Sequence, residues 1–228
     1  MKAVSIIPAR GGSKRLPRKN IADFLGQPII AYTVQAALES ALFERVLVST
    51  EDPEIADVAH RYGAEVVVRP VELAGDDAKV NDVCAHLLDR EEAEGKIYDV
   101  FACFMATAPM RNAEDIRKVF QLIEPGRCEF AMAVTHYDLS PRQALIKGLN
   151  GELTPMWPEL VNMRSQELPE LVVDNGSTYV AMVSAFKKFH TFYGPSLRGY
   201  VMPRERSVDI NNLTDLELAR YLAQRPRY

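Results

Sequence analysis

Cysteine is scarce in this chain, and what little there is excludes two classes of small-protein scaffold. Cys84, Cys103 and Cys128 form an odd, widely spaced set. No CxxC occurs, so neither a zinc ribbon nor a disulfide framework is indicated. Cys103 and Cys128 lie in or beside apolar runs, where buried, inert thiols are the ordinary outcome. Histidine is equally sparse: His60, His86, His136 and His190 show no metal-ligand spacing, and only His136 falls near a candidate site. No apolar run approaches membrane-spanning length. The short apolar stretch at the N-terminus is interrupted by Pro8 and Arg10 without a cleavage site, which is not the pattern of a signal peptide. A soluble, cytoplasmic protein is expected, with no membrane partner. Excess positive charge is also lacking: 27 Lys and Arg against 31 Asp and Glu leave a net charge of −4, which argues against a nucleic-acid polymer as partner. The Walker pattern and the G-x-G-x-x-G fingerprint are both missing, which disfavours a P-loop and a plain Rossmann dehydrogenase. Internal repeats and low-complexity segments are absent too.

What is present is a concentrated N-terminal feature. The apolar run Ala3 to Ile7 leads through Pro8, Ala9 and Arg10 into Gly11-Gly12, then Ser13 and Lys14. Arg10, Lys14, Arg15, Arg18 and Lys19 supply five cations before Asn20. A buried strand running into a glycine turn can present backbone N–H groups as a concave nest for phosphate oxygens. Ser13 adds a hydroxyl, and Arg10 and Lys14 add charge. A Gly-Gly turn with a solvated basic face is the plain alternative. Glycines, hydroxyl and cations together, on a mildly acidic chain, favour a small polyphosphate ligand.

The 228 residues suffice for one large domain, or one domain with an inserted lobe. Strands are expected at Ala3–Pro8, Val46–Ser49, Glu65–Val68, Val100–Met105, Phe130–Thr135, Ser177–Met182 and Gly199–Met202, with a short one at Ser207–Ile210. Helices are expected at Ile29–Glu39 (Ile30, Val34, Ala37 and Leu38 inward), after Asp52-Pro53 up to Gly63, over Asp76–Glu94, after Asn112, over Ala185–His190 and over Leu213–Gln224. Thr214 and Glu217 match a capping box for the last. This alternation predicts an α/β fold with a doubly wound, mostly parallel sheet. The rhythm breaks over 137–172, where prolines and an Asn150-Gly151 hairpin signal appear. The expected organisation is a nucleotide-binding catalytic domain over 1–136 and 173–228, with 137–172 as a small inserted lobe making a dimer contact.

In such a sheet the ligand lies outside the carboxyl ends of the strands. Four segments then converge: Arg10–Asn20, Arg69-Pro70, Thr107–Arg111 and Asp209–Asn212. Asp209 and Asn211 project to one side of an extended segment. An oxygen pair facing a phosphate cradle suits Mg2+, which bridges one or two protein oxygens and substrate phosphates. The alternative is that these residues only prepare the cap of the last helix.

The ordered motifs resemble those of the acylneuraminate cytidylyltransferases, the CMP-sialic acid synthetase family. IIPARGGSKRLPRKN is similar to that family's I-P-A-R-x-G-S-K-x-x-x-x-K-N. VVVRPVELAGD, FMATAPMR, RSQELP, DNGSTYV and VDINNLTDLELA follow in the family's order over nearly the whole chain. The resemblance implies a Rossmann-like nucleotidyltransferase fold, CTP and a nonulosonic acid as substrates, Mg2+ as cofactor and a homodimer. It places CTP on Ala9, Arg10, Gly11, Gly12, Ser13, Lys14, Lys19 and Asn20, with Asn20 toward the cytosine. It gives Arg10, Lys14, Lys19 and Arg69 catalytic roles at the phosphates. Thr107, Asn175 and Tyr179 would approach the sugar, Arg164 would reach its carboxylate across a dimer interface, and Asp209 with Asn211 would hold the metal. The sugar's anomeric hydroxyl would attack the α-phosphorus and pyrophosphate would leave. Two departures stand out. Asn211 replaces the family's usual second aspartate, and Met105-Ala106-Thr107-Ala108-Pro109 lacks the glutamine common in sialic acid members. A-T-A-P and RSQELP look like the pseudaminic acid branch, whereas NGSTY looks like the sialic and legionaminic branches. A Kdo-type cytidylyltransferase and a nucleotide-binding homologue with weakened turnover are the alternatives.

Overall fold

The apolar run at the N-terminus forms an interior strand of a seven-stranded sheet. The computed structural model describes residues 1–137, 139–161, 163 and 169–225. In chain order, β1 is Ala3–Pro8, followed by a two-residue hairpin, β2 (Asp23–Phe24) and β3 (Gln27–Pro28). The further elements are α1 (Ile29–Ser40), β4 (Arg45–Thr50), α2 (Pro53–Arg61), β5 (Glu65–Val68), α3 (Val80–Ala93), β6 (Val100–Phe104), α4 (Ala113–Phe120) and β7 (Phe130–His136). After them come β8 (Leu145–Lys147), β9 (Leu153–Pro155), β10 (Val172–Met182), α5 (Val183–Phe189), β11 (Leu197–Val201) and α6 (Leu213–Ala223). The large sheet has the order β11-β7-β10-β6-β1-β4-β5. Six strands are mutually parallel and β10 alone runs against its neighbours β6 and β7.

Both faces of the sheet are covered, which is why β1 and β6 read as continuous apolar runs. Ile7, Val48 and Ala102 meet α1, α2 and α4 through Ile30, Val34, Ile55, Val58, Ile116 and Val119. Val4, Ile6, Leu47 and Phe101 meet α3 and α5 through Val83, Cys84, Leu87 and Phe186. A smaller cluster matters most for function. Ile210, Leu216 and Ala219 pack on Phe24 and Ile29. This contact folds the C-terminal segment back onto the start of the chain and brings Asp209 to the first loop.

Several expectations are corrected. β10 starts at Val172 rather than 177, with a register shift between Asp174 and Tyr179. Ser207–Ile210 is not a strand: its backbone meets the sheet region through Ile210 N–H to Thr107 O, 3.0 Å, and not through a ladder. The last helix is capped two residues earlier than expected. Asn212 and Asp215 form the reciprocal box, each backbone N–H 3.0 Å from the other's side-chain oxygen. Leu38 is 44% exposed because the inward stripe of α1 is completed by Ala37. The capping pairs at Asp52 and at Asn112 with Asp115 form as their sequence signals indicate. Within 137–172, β8 and β9 pair with each other and not with the large sheet, as the Asn-Gly signal implies.

Candidate active site

Six parallel strands end on the same side, and the segments following β1, β5, β6 and β11 wall a cleft of about 390 Å³. Its lining includes Arg10, Ser13, Lys14, Arg15, Lys19 and Asn20 from the loop after β1. Arg69 follows β5, Met105 and Thr107 follow β6, and Asp209 and Asn211 precede α6. The four converging segments expected from the sequence therefore meet here.

The floor is held by buried polar contacts. Arg69 is 6% exposed. Its guanidinium donates to Ser49 O (2.8 Å), Ser49 Oγ (3.3 Å) and Leu73 O (3.4 Å). Burial lowers its pKa, and Glu51 works against that shift. Asn20 is also buried, and its Nδ2 donates to Arg10 O at 2.8 Å. That bond closes the loop on itself.

The loop is not an open nest. Gly11 N–H donates to Glu51 Oε1 at 2.7 Å, and Ser13 N–H donates to Gly11 O at 2.9 Å. Two of the backbone donors expected to face phosphate are therefore engaged within the protein. Ala9 is fully buried, its N–H given to Ser49 O at 2.9 Å. Gly11 has a packing reason to be glycine: a Cβ there would lie 2.5 Å from Asp52 Oδ2. Gly11 and Gly12 do not line the cleft. What faces it is side-chain chemistry, with Arg10, Ser13, Lys14 and Lys19 grouped on one wall. Arg18 turns away and is held by Asp52 and Glu54. Hydrogen bonding from Arg18 keeps the Asp52 carboxyl below its usual range.

Opposite stands Asp209. Thr107 Oγ donates to Asp209 Oδ1 at 2.6 Å, and Asn211 Nδ2 donates to Asp209 Oδ2 at 2.7 Å. The Asn211 carbonyl oxygen accepts from Arg15 Nη2 and Lys19 Nζ, both at 3.1 Å. Asn211 thus bridges the cationic loop to Asp209 with its oxygen turned to the cations. The expected metal pair reduces here to one outward carboxylate oriented by two neighbours. A single carboxylate plus substrate phosphates fits the usual Mg2+ donor set, so the residues present suit that ion through Asp209. Lys19 is half-buried, and burial pushes its ammonium pKa down, aided by Arg15 and Arg10 and opposed by Asp209. Gly176, with φ +67°, brings the start of β10 close behind Asp209: a Cβ there would lie 3.4 Å from Asp209 Oδ2.

The residues expected on the sugar side separate. Thr107 lines the cleft, but its hydroxyl serves Asp209. Asn175 is buried rather than on the wall. Its Nδ2 is spent on Ser207 Oγ (3.1 Å) and Met202 Sδ (3.2 Å), and its Oδ1 accepts from Ser177 N–H and Oγ. Tyr179 is outside the cleft lining too. Its hydroxyl donates to Asp174 Oδ2 at 2.8 Å, and its ring centroid is 4.9 Å from that of Phe192. Tyr193 donates to the same oxygen at 2.5 Å. Burial, then Asp174, pushes the Tyr179 hydroxyl up, and the Tyr193 hydroxyl rises to about 12. Arg164 and most of RSQELP lie outside the described residues. His136 is exposed and pairs with Glu170 at 3.3 Å, away from the lining.

Four residues beyond the expected set shape the site: Glu51, Asp76, Arg15 and Arg111. Asp76 binds Arg10 Nη1 at 2.8 Å and also pairs with Lys14. Arg111 is 2% exposed, lies 4.9 Å over the Phe104 ring and donates to Ser177 O at 2.7 Å, tying the end of β6 to β10. Burial lowers its pKa to about 10, so it stays cationic at neutral pH. Arg15 is one of the five cations of the N-terminal feature, Asp76 and Arg111 end the VVVRPVELAGD and FMATAPMR motifs, and Glu51 carries no sequence signal beyond following a strand.

Residues 4–141 match the cytidylyltransferase family. The chain is 34% identical over 223 residues to a pseudaminic acid cytidylyltransferase of Campylobacter jejuni, covering 97% of this chain and 96% of that one. It is 31% identical over 229 residues to a CMP-N,N'-diacetyllegionaminic acid synthase of Legionella pneumophila, covering 98% and 97%. Its fold is similar to a CMP:2-keto-3-deoxy-manno-octonic acid synthetase solved with CTP, at TM-score 0.70, 18% identity and 98% coverage of each chain.

Proposed function

We propose that this chain, which belongs to the cytidylyltransferase family, transfers CMP from CTP to the anomeric hydroxyl of a nonulosonic acid and releases pyrophosphate. The observation that carries the reading is the cleft in which Arg10, Ser13, Lys14 and Lys19 face Asp209 across the strand ends. The full-length similarity to pseudaminic and legionaminic acid enzymes supports the class of acceptor.

The chemistry follows from the side chains. Phosphoryl-type transfer needs alignment and charge stabilisation more than covalent help from the protein. Arg10 and Lys14 neutralise the outer phosphates and the charge that develops on the leaving pyrophosphate. Arginine suits paired contact to phosphate oxygens, and lysine acts as a point charge. Ser13 donates its hydroxyl. Lys19, close to Asp209 and half-buried, puts a cation where the α-phosphate side of the triphosphate would lie. Arg69 supports the floor from below. Asp209 would hold Mg2+, which when bound screens the phosphates and polarises the reacting phosphoryl group. Thr107 and Asn211 keep the Asp209 carboxylate aimed into the cleft.

The remaining parts of the reading concern assembly. The lobe over 137–172 exposes Leu139, Leu145, Ile146, Leu149, Leu153 and Met156, an apolar surface that suits a homodimer contact. In that dimer Arg164 would approach the acceptor's carboxylate in the partner's cleft. A cytoplasmic location suits an enzyme consuming CTP, and among the described residues no helix is long and apolar enough to cross a membrane.

The test is pyrophosphate release from CTP and Mg2+ with a panel comprising sialic, pseudaminic and legionaminic acids and Kdo. Release dependent on one of the first three supports the proposal. CTP binding without turnover on any acid contradicts it, and turnover on Kdo alone replaces the acceptor class.

A further inference from the structure

Two cations of the cleft are already paired with an anion, and the anion belongs to the chain. Asp76 sets one oxygen on Arg10 Nη1 at 2.8 Å and the other on Lys14. Gly75 O accepts from the same Arg10 nitrogen at 3.1 Å. One guanidinium and one ammonium sharing two anionic oxygens is the arrangement a phosphate group would adopt on these side chains. Hydrogen bonds from Lys14 and Arg10 hold the Asp76 carboxyl below its usual range.

The segment carrying Asp76 is lightly held. It lies between the helical turn Val71–Leu73 and α3, and Gly75, Asp76 and Asp77 are all exposed. Its ends bond to the flanking helical turns, and the bond within it, Ala78 N–H to Gly75 O, is long at 3.4 Å. The Asp76 side chain is 46% exposed and that of Lys14 80%. Ion pairs this open are weak and readily exchanged.

We propose that Asp76 is a resident competitor for phosphate: it occupies Arg10 and Lys14 until a polyphosphate displaces it, and it returns to them as pyrophosphate departs. This rests on the reading of the loop as a phosphate site. The carboxylate leaves with its charge unchanged and no bond is made or broken. The consequence is a lowered affinity for every ligand that uses both cations, pyrophosphate product included. Two exposed pairs of this kind are each worth a fraction of a tenfold change up to a few-fold, so the penalty is on the order of 3- to 10-fold in affinity.

The experiment measures binding of inorganic pyrophosphate by calorimetry, with and without Mg2+, at low ionic strength. Asp76→Asn removes the carboxylate's charge and keeps its shape. Asp77→Asn makes the same change in net charge one residue away, at a side chain paired with neither cation. The expected result is binding tightened roughly 3- to 10-fold by Asp76→Asn and less than 2-fold by Asp77→Asn. Equal gains in both variants would reduce the effect to general electrostatics and overturn the proposal. Unchanged or weaker binding in Asp76→Asn, with wild-type binding intact, would overturn the competitor role alone. Binding to none of the three proteins would overturn the phosphate site itself, and the competitor with it.

Discussion

Thr107→Val separates two roles for a residue at the heart of the cleft. The side chain is 5% exposed, and its hydroxyl donates to Asp209 Oδ1 at 2.6 Å. Valine keeps the shape and removes the donor. The backbone bond from Ile210 N–H to Thr107 O, 3.0 Å, is untouched, so the segment carrying Asp209 stays docked. A hydrogen bond to a charged acceptor is worth about 1.5–3 kcal/mol. Asp209 is partly exposed, and water can replace the lost donor, which brings the cost down to about 1–2 kcal/mol. At about 1.4 kcal/mol per factor of ten, the orienting of Asp209 weakens by roughly tenfold. Loss of a partner that orients a metal ligand commonly costs 10- to 100-fold in metal affinity or activity. The assay is pyrophosphate release titrated with Mg2+ at saturating CTP and acceptor. The expected outcome is a roughly tenfold rise in the Mg2+ concentration for half-maximal rate, with the acceptor KM changed less than 2-fold. A fall in Tm of about 2–8 °C accompanies it, from roughly 2–4 °C per kcal/mol at this chain length. An unchanged Mg2+ requirement with a tenfold higher acceptor KM would refute the reasoning and return Thr107 to a direct sugar contact.

The other predictions concern charge and space in the same cleft. Arg10→Ala weakens CTP binding by about 10-fold or more, in the range of a lost charged hydrogen bond, while acceptor binding changes little; calorimetry with each substrate checks this, and equal losses would contradict the phosphate assignment. Asn211→Asp adds a second carboxylate beside Asp209 and is expected to lower the Mg2+ concentration for half-maximal rate, with little change in rate at saturating Mg2+; recovery from near-zero activity would instead identify the natural chain as a weakened homologue. Because burial lowers the pKa of Lys19, its positive charge is lost as pH rises through a value below the ordinary 10.5. CTP affinity should therefore fall on the alkaline side earlier than for an ordinary lysine, and Lys19→Arg should extend binding to higher pH in a fluorescence titration. Gly11→Ala sets a methyl group 2.5 Å from Asp52 Oδ2, and a destabilisation of about 1–3 kcal/mol is expected from the overpacking, read by denaturant unfolding.

The fold was legible because its signals were local. Buried parallel strands are runs such as Val100 to Phe104, and helix starts carry caps such as Asp52 before Pro53 and Asn112 before Asp115. The direction of β10 was not legible, since strand periodicity is the same in either orientation. The cap of α6 was misplaced because Asn212 with Asp215 and Thr214 with Glu217 satisfy similar spacing, and only the docking of Ile210 and Leu216 on Phe24 and Ile29 selects the first. In the site, motif position identified which residues gather at the strand ends but not what each side chain touches. Glu51 taking the Gly11 N–H, Asp76 on Arg10 and Lys14, and Thr107 serving Asp209 all join residues 40 or more positions apart. Asn175 shows the reverse: its amide is fully engaged in the interior, by Ser207, Met202 and Ser177.

The joining of CMP to a nonulosonic acid is read out by mass spectrometry of the reaction products. The purified chain is incubated with CTP, Mg2+ and each of pseudaminic, legionaminic and sialic acid. With at least one of them, the expected product has the mass of CMP plus the acid less one water, formed in equal amount with pyrophosphate. Pyrophosphate accompanied by free CMP and no adduct, or bound CTP left intact with all three acids, would contradict it.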